Sequence, residues 1–271
     1  MEKKELWEDD INIRKYFDYL EYEKNLSKNT LMSYKEDLKD LYQYNKNYLK
    51  LNDNDILKYL NTLKNLSRRS IAHHITVLKS FYGFLAKENI IKINPCDKLI
   101  MPKLEANLPE YLTVSEVRLL LDIDLKKPKD YRNKAMLELM IATGLRVSEL
   151  VNLQVSDVNF DDCFVRVLGK GRKERIVPAD DEALYYTKLY LDFYRNFLLK
   201  KKDSEYLFIS SYGKKITRQS FFKLIKDECQ KKGIKKEVSP HTLRHSFASI
   251  LLKNGANIRV IQELLGHEDL K

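Results

Sequence analysis

Five side chains able to bind phosphate stand out in the second half of this 271-residue chain, each in a short ordered context. Arg146 lies in "ATGLRVSEL", just past a Thr143–Gly144 turn between two helical periods. Its planar guanidinium can donate parallel hydrogen bonds to phosphate oxygens and keeps its charge at any physiological pH. The same group could instead form an ion pair with Glu149 one helical turn on. Lys170 sits between Gly169 and Gly171 at the tip of a hairpin pattern. Flanking glycines let that backbone approach another chain, where an ammonium can hand a proton to a departing oxygen. An ordinary solvated turn lysine would look the same. His241 and Arg244, in "SPHTLRHSFA", share one helix face, so both can reach a single phosphate oxygen. Pro240 favours a helix start there, and the first amides of that helix add positive field. His267 follows the helix-ending "LLG".

A metal is the competing chemistry for His241 and His245, one turn apart. The zinc-protease pattern requires Glu after the first histidine, and Thr242 occupies that place. Cys96, Cys163 and Cys229 are widely separated and form no CxxC pair, so reduced buried thiols are expected. Neither a metal nor any other cofactor is expected.

The elements that must position these groups fall into two domains. Residues 1–92 read as four helices. The first carries Ile13, Phe17, Leu20 and Tyr22, and the second Leu31, Tyr34, Leu38, Leu41 and Tyr42. A short Asn/Asp-capped helix lies in "NDNDILKYLNTLKN". A long one is capped by Ser67 and buries Ile71, Ile75, Leu78 and Phe81. Residues 93–109 contain Pro95, Pro102 and Pro109 and read as a linker. A Thr113–Glu116 capping box opens the second domain, 110–271. There the pattern predicts a helix–turn–helix around Gly144 and a β-hairpin in "CFVRVLGKGRKERIVP". Helices over about 180–201 and 217–232 follow, then two more ended by Gly255 and Gly266. The fold class is mainly α, with a small antiparallel hairpin in the second domain.

Net charge is +10 and the pI about 9.2. Residues 1–107 hold 19 basic against 16 acidic side chains, and the remainder 30 against 23. A polyanion such as nucleic acid is the simplest partner for that surplus, although a lysine-rich composition alone would give the same sign. No apolar run is long enough to span a bilayer, and "MEKKELWEDDINIRKYF" lacks the apolar core of a signal peptide. A cytoplasmic protein without membrane contact is expected.

The blocks "ATGLRVSEL", "VRVLGKGRKERIVP", "SPHTLRHSFA" and "LLGHEDL" resemble, in order and spacing, the signatures of the tyrosine recombinase (phage integrase) family, close to its Xer-type members. "LSKNTLMSYKEDL" and "ITVLKSFYGFLAKENIIKINP" are similar to the helical core-binding domain of those enzymes, so the likeness spans nearly the whole chain. The resemblance implies that Arg146 and Arg244 clamp the scissile phosphate. It implies Lys170 as general acid for the 5′ oxygen, His241 as hydrogen-bond donor and base, and His267 as a further phosphate ligand. Glu149 would hold Arg146 or His241 in place. The family's nucleophile is a tyrosine that forms a 3′-phosphotyrosyl link, so resealing needs no ATP. That tyrosine is expected just after Lys271, and none of the seventeen tyrosines sits in a matching motif. The chain therefore reads as cut short of its nucleophile, binding DNA without cleaving it.

A wider DNA grip is expected from Arg68, Arg69, Ser70, His73, His74 and Lys79 on the helix that follows Ser67, and from Lys28, Asn29 and Thr30. Arg172, Lys173, Thr217, Arg218 and Gln219 are similar candidates in the second domain. The implied partners are a double-stranded recombination site and further recombinase protomers, identical or not, in a tetramer that resolves chromosome or plasmid dimers or moves an element. A non-catalytic DNA-binding paralogue that regulates such sites is the alternative. A monomeric type IB topoisomerase relative is disfavoured by the two-domain layout.

Overall fold

Side-chain caps start each of the four α-helices described in the first of two units. The structure is a computed structural model that describes residues 6–103, 110–169 and 174–266. Its units are residues 1–107 and 108–271. Helix α1 (Ile11–Asp18) begins where the Asp10 carboxylate accepts the main-chain N–H groups of Asn12 and Ile13. α2 (Lys28–Tyr44) and α4 (Arg68–Lys87) are capped by Ser27 and Ser67, and α3 (Asp53–Thr62) by an Asn52–Asp55 capping box. Tyr16, Leu38, Leu41, Ile56, Tyr59, Leu78, Phe81 and Tyr82 close the core between them.

Two expectations fail in this unit. Tyr22 is 79% exposed, because two residues past Leu20 a helix turns it away from the stripe of Ile13, Phe17 and Leu20. Cys96 and Leu99, assigned above to a linker, are buried in the first unit's core. Burial pushes the Cys96 thiol up to about 12, which keeps it an inert apolar group.

The second unit is built round α6 (Pro128–Thr143), whose Ala135, Met136, Leu137, Leu139 and Met140 are fully buried. Arg132, Lys134 and Glu138 are buried beside them, so α6 is enclosed on nearly all sides. α5 (Val114–Leu121) starts at the expected Thr113–Glu116 box. α6 ends at Gly144, and α7 (Val147–Leu150) follows. The sheet has three antiparallel strands where the sequence suggests two: β1 (Val158–Asn159), β2 (Phe164–Leu168) and β3 (Glu174–Pro178). Their register pairs Val165 with Val177 and Val167 with Arg175.

The helix expected near 180–201 is α8 (Asp181–Leu189), a π-type turn over Tyr190–Tyr194, and α9 (Arg195–Leu199). α10 (Arg218–Lys231), α11 (Pro240–Lys253) and α12 (Ile258–Leu265) complete the unit. The molecule is mainly α with a small antiparallel sheet. Among the described residues no helix is long and apolar enough to cross a membrane.

Candidate functional site

The turn that presents Arg146 depends on Gly144. Gly144 ends α6 in the left-handed region at φ 59°, and a Cβ built on it would meet the Phe247 ring of α11 at 2.4 Å. Only glycine fits both demands. Two residues later Arg146 caps α7 with extended backbone, and Glu149 folds back on it. The Glu149 carboxylate accepts the Arg146 main-chain N–H at 2.7 Å on Oε2 and its Nη1 at 2.9 Å on Oε1. The ion pair weighed from the sequence is therefore present, and it orients a guanidinium whose side chain is still 37% exposed.

Arg244 enters from α11, which starts at Pro240 with Ser239 as its cap. It is 8% exposed. Its Nη1 donates to the Gly144 carbonyl at 2.6 Å and its Nη2 to the Leu265 carbonyl. Arg146 Nη2 donates to the next carbonyl, that of Gly266, at 2.9 Å. The end of α12 is thus a shared floor for two arginines from separate elements.

A third arginine was not found in the sequence. Arg175 donates Nη1 and Nη2 to the two oxygens of Glu149, each at 2.9 Å, and Nε to the Leu264 carbonyl at 3.0 Å. The strand pattern held the signal, because Arg175 shares the inward parity of buried Val177 and pairs with buried Val167. A charged side chain on the inner face needs a partner.

Three guanidinium groups therefore gather round one carboxylate. Burial alone would raise the Glu149 carboxyl, but Arg175 and Arg146 outweigh it and hold it below its ordinary value. For Arg244, burial first and the neighbouring Arg146 charge second push the guanidinium down to about 10. Among the described residues Arg244 forms no ion pair of its own. Among the described residues the three guanidinium groups have one paired carboxylate between them, and the burial of Arg244 weakens the screening of the excess charge by water. Beside it, Arg146, Glu149, Gly169 and Glu174 line a cleft of about 640 Å³.

The other predicted residues divide clearly. His241 is exposed on the first turn of α11, one turn before Arg244, and His245 is exposed one turn after His241. Lys170, Arg172, Lys173 and His267 lie outside the described residues. Glu149 holds Arg146, as one of the two expected options, with Arg175 as its second partner.

On the first unit Lys28, Asn29 and Arg69 are exposed, and Thr30, Ser70 and Lys79 are half-buried. The Thr30 and Ser70 main-chain N–H groups serve the caps of their own helices. His73 is partly exposed, with its Nε2 2.9 Å from Ser33 Oγ and 3.5 Å from Asp37 Oδ2. His74 corrects the expectation: it is buried, with Nε2 3.5 Å from Asp37 Oδ1, so it faces the core and not a DNA groove. On the second unit Thr217 caps α10, and Arg218 and Gln219 are exposed in its first turn.

The phage integrase family matches residues 110–271, and its N-terminal SAM-like domain matches residues 13–89. The chain is 44% identical over 267 residues to the tyrosine recombinase XerD of Oceanobacillus iheyensis, spanning 95% of this chain and 90% of that one. It is 42% identical over 266 residues to the tyrosine recombinase XerD of Staphylococcus aureus strain Mu50, with the same shares of each chain covered (95% and 90%). Among solved structures, XerA recombinase is 32% identical with a TM-score of 0.56 over 95% of this chain and 89% of that one. A lambda integrase dimer bound to a COC′ core site shares the fold, at 18% identity, a TM-score of 0.72 and 95% coverage of each chain. With its sequence, fold and both domains in agreement, the chain belongs to the phage integrase family, among the Xer-like tyrosine recombinases.

Proposed function

We propose that this protein is a site-specific recombinase that grips duplex DNA and holds one backbone phosphate between Arg146 and Arg244. The observation that carries this reading is the charge imbalance at the site. Arg244 is buried, bonded to carbonyls and set against a second arginine, and among the described residues Glu149 is the one carboxylate paired with the cluster's arginines. A phosphodiester supplies the missing negative charge. Each guanidinium has five N–H donors, so both arginines keep donors for phosphate oxygens after serving their protein partners.

The chemistry follows from that grip. A tyrosine oxygen attacks the phosphorus, the bond to the 5′ oxygen breaks, and the leaving oxygen takes a proton from Lys170. Arg146 and Arg244 stabilise the charge that builds on the non-bridging oxygens. His241 and His267 assist as hydrogen-bond donors, and His241 also takes the tyrosine proton. Attack by a 5′ hydroxyl on the phosphotyrosyl bond reverses the step and reseals the strand. Lys28, Asn29, Thr30, Arg68, Arg69, Ser70, His73 and Lys79 on the first unit, with Arg172, Lys173, Thr217, Arg218 and Gln219 on the second, supply phosphate contacts along the duplex. Protomers assemble as a tetramer on the site. The identity to XerD relatives supports this reading.

None of the seventeen tyrosines in these 271 residues follows His267. The test uses nicked suicide duplexes that trap a covalent intermediate. A version continued through a tyrosine just beyond Lys271 should form a 3′-linked protein–DNA adduct, and the 271-residue polypeptide should form none. Binding by the longer version without any adduct would dismiss the recombinase reading. An adduct with the shorter one would dismiss the assignment of the nucleophile.

A further inference from the structure

We propose that Arg175 is a positioning residue for the phosphate site: it fixes the carboxylate that orients Arg146 and pins the end of α12 beneath the same cluster. The inference rests on reading Arg146 and Arg244 as a phosphate clamp.

Arg175 spends three of its five N–H donors on two partners, both of them parts of the site. The parallel pair to Glu149 is the geometry that fixes a carboxylate in both distance and rotation. Each Glu149 oxygen then carries two hydrogen bonds. Oε1 accepts from Arg146 Nη1 and Arg175 Nη1, and Oε2 from Arg146 N and Arg175 Nη2. Without Arg175 each oxygen keeps one donor, and both of those donors belong to Arg146. The carboxylate could then swing with the residue it is meant to hold.

The second contact is as directed as the first. The last carbonyls of a helix lack internal partners and lie at its negative end. At the end of α12 three successive carbonyls, those of Leu264, Leu265 and the capping Gly266, are taken one each by Arg175, Arg244 and Arg146. Gly266 also lies flat against the strand arginine. Its φ is 64°, and a Cβ there would come within 3.2 Å of Arg175 Nη1. A side chain at this residue would push on the guanidinium that holds Glu149. Arg175 thus ties strand β3, the start of α7 and the end of α12 into one joint, and the residue that follows Gly266 is His267.

The alternative is that Arg175 contributes only positive charge. Sulfate separates the two, being tetrahedral and fully ionised across pH 5–8. Sulfate would be titrated into the 271-residue protein while the guanidinium Nε–H resonances of Arg146 and Arg244 are followed by NMR. Arg175→Lys keeps the charge but loses the fork and the Leu264 contact. It should bind sulfate about tenfold more weakly, a difference of about 1.4 kcal/mol, with the Arg146 resonance displaced before any sulfate is added. In a Glu149→Gln background the same substitution should cost clearly less than about tenfold, because its route to Arg146 through the carboxylate is already cut and only the contact with the end of α12 is left to lose. If Glu149→Gln fails to fold, Glu149→Asp takes its place. Wild-type affinity in Arg175→Lys, or an undiminished loss in the Glu149 background, overturns the proposal. Failure of the underlying phosphate reading looks different: sulfate would leave both wild-type resonances unmoved.

Discussion

Arg244 donates to the carbonyl of Gly144 at 2.6 Å, so the turn that presents Arg146 is held by the second arginine of the proposed clamp. Neither can shift alone. The Phe247 ring on the same helix presses on Gly144 from the side where a Cβ would stand, which makes α6, α7 and α11 a single joint. Positive φ, close packing and a buried hydrogen bond all converge on one residue.

Gly144→Ala should therefore be among the most damaging small substitutions in the second unit. The left-handed backbone costs a non-glycine residue about 1–2 kcal/mol, and the overpacking against Phe247 about 1–3 kcal/mol more. Urea unfolding measures the sum. Adding Phe247→Leu should recover part of the loss but leave the backbone share. A loss below about 1 kcal/mol for the single variant would show that α6 and α11 are not locked at this turn.

Arg244→Ala should spare most duplex affinity at low salt, because many peripheral cations supply nonspecific binding. What it should remove is the extra affinity for the scissile phosphate. Two carbonyls, of Gly144 and Leu265, lose their donor at the same time, at about 1–3 kcal/mol of stability for each that stays dry. Competition between a selected site and random duplex reads the first effect, and denaturation the second. A large loss of low-salt affinity from this one change would count against the assignment.

Acid should loosen the cluster in a defined direction. The Glu149 carboxylate is held below its ordinary value of 4.5, so the stability it contributes is fully present above that pH. It is lost as pH falls through the depressed value. Unfolding free energy measured from neutral pH downward should fall more steeply for the wild type than for Glu149→Gln in that acidic range. Parallel curves would mean that the carboxylate is not stabilised by Arg146 and Arg175.

Exposed and buried members of the α4 helix should separate by salt dependence. Replacing Arg69, exposed near the start of α4, with Ala should reduce the slope of log K against log salt by about 0.9 if it meets one phosphate. His74→Gln should lower the stability of the first unit and leave that slope unchanged, since His74 packs inward beside Asp37. A change of slope with His74 would mean that α4 turns a different face to DNA.

Much of this was legible because its causes are local. Ser67, the Thr113–Glu116 box and the glycines at 144, 255 and 266 mark helix ends within a few residues, and the hairpin shows as alternation either side of a glycine turn. His74 was also legible in hindsight. It stands in helical phase with Ile71, Leu78 and Phe81, and that phase outranked the basic side chains around it. Arg175 was harder, since its carboxylate lies 26 residues away and its carbonyl partner 89. Only its inward parity on β3 announced it. The widened turn over Tyr19–Glu23 left no comparable mark in the sequence, whereas the exposure of Tyr22 follows from its phase, two residues past Leu20.

The central claim is that Arg146 and Arg244 grip the same phosphate. The direct measurement is a scan in which each phosphate of a selected duplex is replaced, one at a time, by a neutral methylphosphonate. Wild-type affinity should fall sharply at one position per bound protomer, and that extra loss should vanish in both Arg146→Ala and Arg244→Ala. Two variants that lose their sensitivity at different positions, or a loss spread evenly along the backbone, would contradict it.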